Sequence, residues 1–210
     1  MKFAAQFMQF MVLIPAAILC FLPMKDQLTS PPKKIIARIW LVLTILIPVS
    51  ALIFMAGNFP ANYVMLPDIA ILYLFYHRSL NTHWATSASV FLMVAALMSF
   101  PPNIALCIDC QIHPQETLLS PCLVATTVQF AISVVFVLLY FLIFKNHFSE
   151  LINSLNSAYV WSATLPVPLI FILLNIMMQP QKYETMHVNR VYRMYVAYLL
   201  LAFFLCNVIY

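Results

Sequence analysis

Seven long apolar runs, separated by short polar connections, constrain the fold of this chain more than any other feature of its sequence. A helix needs roughly 20 apolar residues, rising about 1.5 Å each, to cross the hydrocarbon core of a bilayer. Every run except the third meets that length, and the third reaches only roughly 24 Å. The runs cover residues 3–22, 35–56, 61–76, 84–104, 118–144, 158–178 and 191–210.

These runs predict an all-α fold, a polytopic transmembrane helix bundle that forms a single integral membrane domain over residues 1–210. We expect about seven spans, or six if the run 61–76 re-enters the membrane without crossing it. The composition agrees, because 64% of the residues are hydrophobic and 8% are charged. Soluble domains have about 45–50% apolar and about 25% charged residues. The lipid bilayer is therefore the first expected partner.

The sequence excludes several classes of function. Its one glycine, Gly57, cannot build the phosphate-binding loops of nucleotide sites, which need several glycines. The chain has no recognisable Ser/His/Asp set and no paired carboxylates within a run, so we predict no enzymatic activity and no cofactor. The net charge of +4 is small, and the basic residues lie in short connections. Nucleic-acid binding is therefore not expected.

Basic residues in the connections predict the orientation, because short loops rich in Lys and Arg stay in the cytoplasm. With seven spans and an outer N-terminus, the inner set of basic residues outnumbers the outer set. The inner set is Lys25, Lys33, Lys34, Arg38, Arg78 and Lys145, and the outer set is Lys2, Lys182, Arg190 and Arg193. With six spans the C-terminus would lie outside. We expect a multi-pass protein of a cell membrane, namely a bacterial plasma membrane.

Asp68 is the first candidate ligand-binding residue, because it lies midway along the third run. A charged side chain at the bilayer centre costs roughly 2.5–3.5 kcal/mol on insertion scales, so it needs a partner or water. Asp68 would contact a ligand or act as a proton-linked switch. As a structural group it would instead cap the helix after Pro67 or lie in a wet pocket enclosed by protein. We expect the uncharged Gln129, Asn103 and Asn175 to make hydrogen bonds between helices.

A second candidate ligand site lies at the start of the last run. His187, Arg190 and Arg193 follow one another at three-residue spacing, so a helix would place them on one face. One interpretation is a solvated helix end whose long side chains reach the membrane surface. If this end faces outward, the same stripe would bind a carboxylate or an anionic peptide.

A cysteine pattern is the weakest of the candidates. Cys107, Cys110 and His113 form Cys-x-x-Cys-x-x-His in the connection 105–117, with Cys122 nearby. A zinc site normally takes four ligands, so this pattern supplies only half of one, and we predict no metal. A disulfide is an alternative if the connection lies outside the cytoplasm. Free thiols are the remaining alternative.

The first connection resembles a known family in its residues. It reads Phe-Leu-Pro-Met-Lys-Asp-Gln-Leu from Phe21 to Leu28, followed by Ser-Pro-Pro-Lys-Lys from Ser30 to Lys34. This stretch, together with the layout of short-looped spans, is similar to the N-terminal membrane sensor region of histidine kinases of the accessory-gene-regulator type, whose kinase domain is of the GHKL class. The resemblance implies binding of an extracellular signal, often a peptide, and relay of the change to a cytoplasmic kinase.

The printed chain departs from that family, because it ends at Tyr210 and holds no phosphoacceptor helix and no ATP-binding domain. We expect either a truncated sensor region or a region that works with a separate kinase domain or partner protein. We also expect the chain to form a homodimer. The resemblance thus implies a signal-sensing module of a two-component system, such as those used in quorum sensing, that binds a peptide or small molecule. Two alternatives stay open, namely a small carrier or permease component and a structural subunit of a membrane complex.

Overall fold

The computed structural model describes residues 2–57, 62–112, 123–144 and 158–178, which are almost entirely helical and contain no β-strand. A 3₁₀ turn at Lys25–Gln27 and a π-helical turn at Tyr140–Phe144 accompany the α-helices. The α-helices of this part of the chain are α1 (Lys2–Phe10), α2 (Leu13–Phe21), α3 (Pro32–Gly57), α4 (Asn62–Arg78), α5 (Trp84–Leu97), α6 (Phe100–Ile112), α7 (Leu123–Leu139), α8 (Ala158–Thr164) and α9 (Pro166–Met178).

Prolines account for two of the interruptions between consecutive helices. Pro15 has no N–H to donate to the carbonyl of Met11. That carbonyl instead accepts a hydrogen bond of 3.1 Å from the N–H of Ile14, three residues on, and α1 is separated from α2 there. Pro166 begins α9 directly after α8, at the first helical position that suits proline. Pro48 and Pro67 lie inside α3 and α4, which continue through them. A proline in these apolar runs therefore does not always end the helix.

Four helical stretches in the described residues are long and apolar enough to cross a membrane. They cover Ala4–Phe21, Pro32–Gly57, Trp84–Ala105 and Leu123–Leu142. The prediction of an all-helical fold with helices of membrane-crossing length is confirmed for this part of the chain. The number seven is not confirmed, because α4 has only 17 residues, Ala158–Leu173 is a shorter apolar helix, and the run 191–210 lies outside the described residues.

The long helices differ in how far they are enclosed by the rest of the chain. In the stretch Trp84–Ala105, 56% of the most apolar 18-residue segment is buried inside the protein, whereas the value for Pro32–Gly57 is 28%. The first turns of α5 are the most enclosed, because small residues there let other helices approach. Helix α3 lies at the periphery and leaves large apolar side chains such as Leu41, Ile45 and Leu52 uncovered.

The connection after α2 and the connection after α4 are joined by backbone hydrogen bonds. The Thr29 N–H donates to the Ser79 carbonyl at 3.0 Å, next to an antiparallel bridge between Leu28 and Leu80. We call this contact, formed by residues 27–29 and 79–81, the clasp. Since α3 starts beside the clasp and α4 ends at it, the two helices form an antiparallel hairpin.

The later helices continue this alternation of direction. Gln129 of α7 contacts Gln9 of α1, and Tyr140 packs against a cluster that includes Leu19 of α2. Helix α7 therefore runs parallel to α1 and α2, towards the end that holds the clasp.

Helices α8 and α9 run away from that end, parallel to α5 and α6. Their contacts follow in chain order, with Ser89 bonded to Trp161 and Phe100 stacked on Phe171. In the described residues, consecutive helical segments thus run alternately towards and away from the clasp.

The end of the bundle that holds the clasp is basic. Its cationic side chains that the structure describes are exposed: Lys25, Lys33, Lys34, Arg38 and Arg78. We call this the basic end. Below it lies a buried cluster that includes Met24, Tyr76 and Trp161 and joins the ends of α2, α4 and α8.

The first part of one predicted connection is helical in the structure. The sequence predicted an irregular segment at 105–117, whereas α6 continues to Ile112. No proline or glycine interrupts residues 103–112, and Pro114 is the next residue that opposes a helix. The polar residues of this segment therefore did not mark a helix end.

Candidate functional site

The buried carboxyl of Asp68 lies at the contact between the two helices of the hairpin. Asp68 is 4% exposed, and Ser50 on α3 is 2% exposed. The Ser50 hydroxyl donates to Asp68 Oδ1 at 2.9 Å. The second oxygen, Oδ2, is buried and has no hydrogen-bond partner among the described residues. One half of the carboxyl is therefore fixed to α3, and the other half is open to a further donor.

The place of Asp68 within α4 rules out one of its two structural interpretations. Helix α4 begins at Asn62, so Asp68 lies in the helix interior and does not cap a helix that starts after Pro67. It is about 9 Å along the axis from the start of α4 and about 15 Å from its end at the clasp. The carboxyl is thus nearer to the end of the hairpin opposite the basic end.

A buried carboxyl oxygen without a hydrogen-bond partner can be stabilised in only a few ways. A buried polar atom without a hydrogen bond costs free energy, and a buried charge costs more. The cost falls if Oδ2 takes up a proton, a water molecule, or a donor group from a ligand. Each of these would alter the contact between α3 and α4, because the same carboxyl holds Ser50.

A second polar region lies between α1 and α7. Gln129 is 4% exposed, and its amide nitrogen lies 3.5 Å from the Gln9 carbonyl. This contact agrees with the expected hydrogen bond between helices, at the long limit of such bonds. The side-chain oxygens of Gln6 and Gln9 are buried without partners among the described residues. Asn103 donates to the carbonyl of Ser99, in the turn directly before α6, so that contact is not between helices.

Small polar side chains at the start of α5 form a third region, next to the basic end. Ser89 is fully buried, and its hydroxyl donates to the Trp161 carbonyl at 2.9 Å. Ser87 donates to the Trp84 carbonyl, and its oxygen lies 2.8 Å from His77 Nδ1. Since the one hydroxyl hydrogen of Ser87 is used, the His77 ring donates in that pair. These bonds join α5 to α4 and α8.

The side chains of the other sequence candidates lie outside the part of the chain that the structure describes. Cys107 and Cys110 lie on α6, in a helix and not in the predicted loop, and the side chains of this pair and His113 are outside the described residues. Among the described side chains, no group of three or more His, Cys, Asp or Glu could hold a metal ion. His187, Arg190 and Arg193 lie wholly outside the described residues, and Asn175 lies on α9 with a side chain that is not described.

Comparisons with protein-family models, with curated proteins and with solved structures each gave no significant match. The likeness to sensor regions of histidine kinases therefore depends on the residues of the first connection and on the layout of the helices.

Ser50 is the functional-site residue that sequence reasoning missed. A hydroxyl in an apolar helix commonly bonds to a carbonyl of its own preceding turn, as Ser133 does with Gln129 at 2.8 Å. Nothing in the local sequence of Ser50 distinguishes it from such a residue. The sequence feature that pointed to such a residue was the charge of Asp68, because a charge within an apolar run requires a partner on a neighbouring helix.

Proposed function

We propose that the chain spans a bacterial plasma membrane seven times, with its N-terminus outside and its basic end in the cytoplasm. The alternation of helix directions supports this topology. The clasp returns α4 to the end where α3 begins, and a continuous helix of 17 residues, about 26 Å long, cannot enter and leave by one face. The exposed cations of the basic end agree with the retention of Lys and Arg in the cytoplasm.

Within this topology, the proposed function is that of a signal-sensing membrane module. The observation that carries the proposal is the carboxyl of Asp68, buried between α3 and α4 with one oxygen held by Ser50 and one oxygen open. Ionisable groups inside a membrane bundle are costly, and a retained one indicates a functional site. By position, Asp68 lies in the half of the hairpin that faces outward in this topology.

The sensing step would be a change in the α3–α4 contact. A ligand with a donor or cationic group would bind Oδ2 and favour the helix arrangement that brings its own contacts together. It shifts the balance between two arrangements only by its differential affinity for them. Because the clasp joins the end of α4 to the first connection, a shift of α4 would displace residues of the basic end. A cytoplasmic partner such as a kinase domain would contact the protein at this end.

The carrier alternative receives less support from the described residues. A substrate path needs several polar groups that face a common cavity near the membrane centre. Around Asp68, the hydrogen bond that the structure gives in its described part comes from Ser50 alone. The third alternative, a structural subunit of a complex, does not explain why a carboxyl is buried with an open oxygen.

The proposal is tested with the full chain in lipid nanodiscs, using the small-peptide fraction of spent bacterial culture medium as the probe. A sensor should show a higher midpoint of thermal unfolding in the presence of the fraction. The variant Asp68→Asn keeps the size of the side chain and its acceptor oxygen, and should lose the shift. The matched control Asp26→Asn removes an exposed carboxylate at the basic end and should keep it.

Two outcomes would count against the proposal. An unchanged shift in Asp68→Asn would place the ligand elsewhere in the chain. Net accumulation of fraction components in proteoliposomes, lost in the same variant, would favour the carrier.

A further inference from the structure

The beginning of α3 combines positive charge with an uncovered apolar surface. Residues 31–38 are exposed except for Ile35, and they include Lys33, Lys34 and Arg38. Directly beyond them, Trp40 is 54% exposed and Leu41 is 64% exposed. A peripheral helix with this order, from cations to tryptophan to aliphatic side chains, matches the change from headgroups to acyl chains in a leaflet.

Arg78 on α4 lies at the same depth as this part of α3. The two helices are antiparallel, and the Ser50–Asp68 bond fixes their register. Ten residues from Asp68 towards the basic end lead to Arg78, and ten residues from Ser50 in the same direction lead to residue 40. Both paths are about 15 Å long. Arg78 is exposed, so the rim of the α3–α4 hairpin carries cations from both helices, with Arg38 about 3 Å and Lys34 about 9 Å further towards the basic end than Arg78.

The two described connections at the basic end hold little negative charge to neutralise these cations. Asp26 is the acidic residue of the first connection, and residues 79–83 between α4 and α5 contain none. A second exposed tryptophan, Trp84, follows at the start of α5. The surface therefore has a net positive charge and aromatic side chains at interfacial depth.

We propose that the rim formed by Lys33, Lys34, Arg38 and Arg78 binds the phosphate group of an anionic phospholipid. Arginine forms paired hydrogen bonds to phosphate oxygens, and lysine contributes charge. The acyl chains would lie along the exposed aliphatic face of α3 below Trp40. This uncovered face favours a lipid over an acidic protein segment, since a segment bound to the cations alone would leave it unused.

Native mass spectrometry of the full chain, released from detergent with added lipid, tests the assignment. Phosphatidylglycerol and phosphatidylcholine with the same acyl chains are compared. We expect phosphatidylglycerol to bind at least about tenfold more tightly, with a loss of about fivefold for each cation removed. Arg38→Gln and Arg78→Gln should each weaken its binding, and the double variant should approach the affinity for phosphatidylcholine.

Control variants separate this site from a general effect of charge. Lys2→Gln removes one positive charge at the end of the bundle away from the clasp and should leave lipid binding unchanged. Arg38→Lys keeps the charge at the rim and should retain most of the lipid binding. Equal binding of the two lipids would overturn the proposal, as would a preference that survives in the double variant.

Two soluble probes identify the source of the phosphate. Inorganic phosphate at equal concentration should not displace the lipid, because it lacks the acyl chains. Full displacement by inorganic phosphate, or by poly-glutamate, would overturn the assignment to a lipid. The latter result would assign the surface to an acidic protein segment.

Discussion

The hydroxyl of Ser50 and the carboxyl of Asp68 are joined by a 2.9 Å hydrogen bond across the α3–α4 contact, and both side chains are buried. The bond links residues that are 18 positions apart in the chain. It is a polar contact that agrees with the antiparallel register of the hairpin, and within the described residues it leaves Asp68 Oδ2 without a partner. The same side chain therefore contributes to the stability of the hairpin and to the chemistry of the site.

The substitution Ser50→Ala should lower the free energy of unfolding by about 1–3 kcal/mol, because it leaves the Asp68 carboxyl buried without its donor. In an Asp68→Leu background the same change should cost less than about 0.5 kcal/mol, because no acceptor is then left unpaired. Unfolding by dodecyl sulfate in mixed micelles measures both values. Equal costs in the two backgrounds would show that the hydrogen bond contributes nothing.

The clasp predicts a disulfide between introduced cysteines. Paired residues in an antiparallel bridge have Cα atoms about 4.5–5.5 Å apart, which suits a disulfide. In a variant whose native cysteines are replaced by alanine, Leu28→Cys with Leu80→Cys should oxidise and shift mobility on a non-reducing gel. The pair Ile36→Cys with Leu80→Cys places one thiol on the exposed side of α3 and should remain reduced.

The enclosed start of α5 predicts a strong dependence on side-chain size. Ser89 is fully buried against α8, so Ser89→Leu should cost more than about 2 kcal/mol through overpacking and the lost hydrogen bond. Ser162 on α8 is exposed and bonds to its own helix, so Ser162→Leu should change stability by less than about 0.5 kcal/mol. Thermal unfolding in detergent compares the two, and similar losses would contradict the packing of α5 against α8.

The proposed topology predicts the behaviour of reporter fusions. A reporter that is active only in the cytoplasm should work when fused after Arg78, and one that is active only after export should work when fused after Gly57. A fusion after Tyr210 should behave like the first, because a seventh span returns the chain to the cytoplasm. Export activity after Arg78 would mean that α4 does not return across the membrane.

Sequence patterns predicted the helical class well, because uninterrupted apolar runs have few other solutions in this composition. They also identified Asp68, because a charge within such a run has no local partner. They misjudged the segment up to Ile112, since its polar residues sit on a helix that nothing interrupts. Polarity alone is a poor marker of a helix end when no proline or glycine accompanies it.

Contacts between distant residues could not be predicted from the single sequence. Ser50 is chemically equivalent to other serines in apolar helices, and the choice of Asp68 as its partner depends on the antiparallel register. The bond from Ser89 to Trp161 spans 72 positions and depends on how α8 approaches α5. Such pairings follow from tertiary packing, and local propensity carries no information on them.

The clasp also imposes an order on the biosynthesis of the protein. Its two sides are 50 positions apart in the chain, and the whole of α3 and α4 lies between them. Synthesis from the N-terminus therefore completes α3 before residues 79–81, the second side of the clasp, have been made. The entropic cost of closing such a loop rises with its length. The clasp can close only after both helices have been made, so we expect substitutions in residues 27–29 or 79–81 to impair the packing of the hairpin and to leave the formation of α3 itself intact.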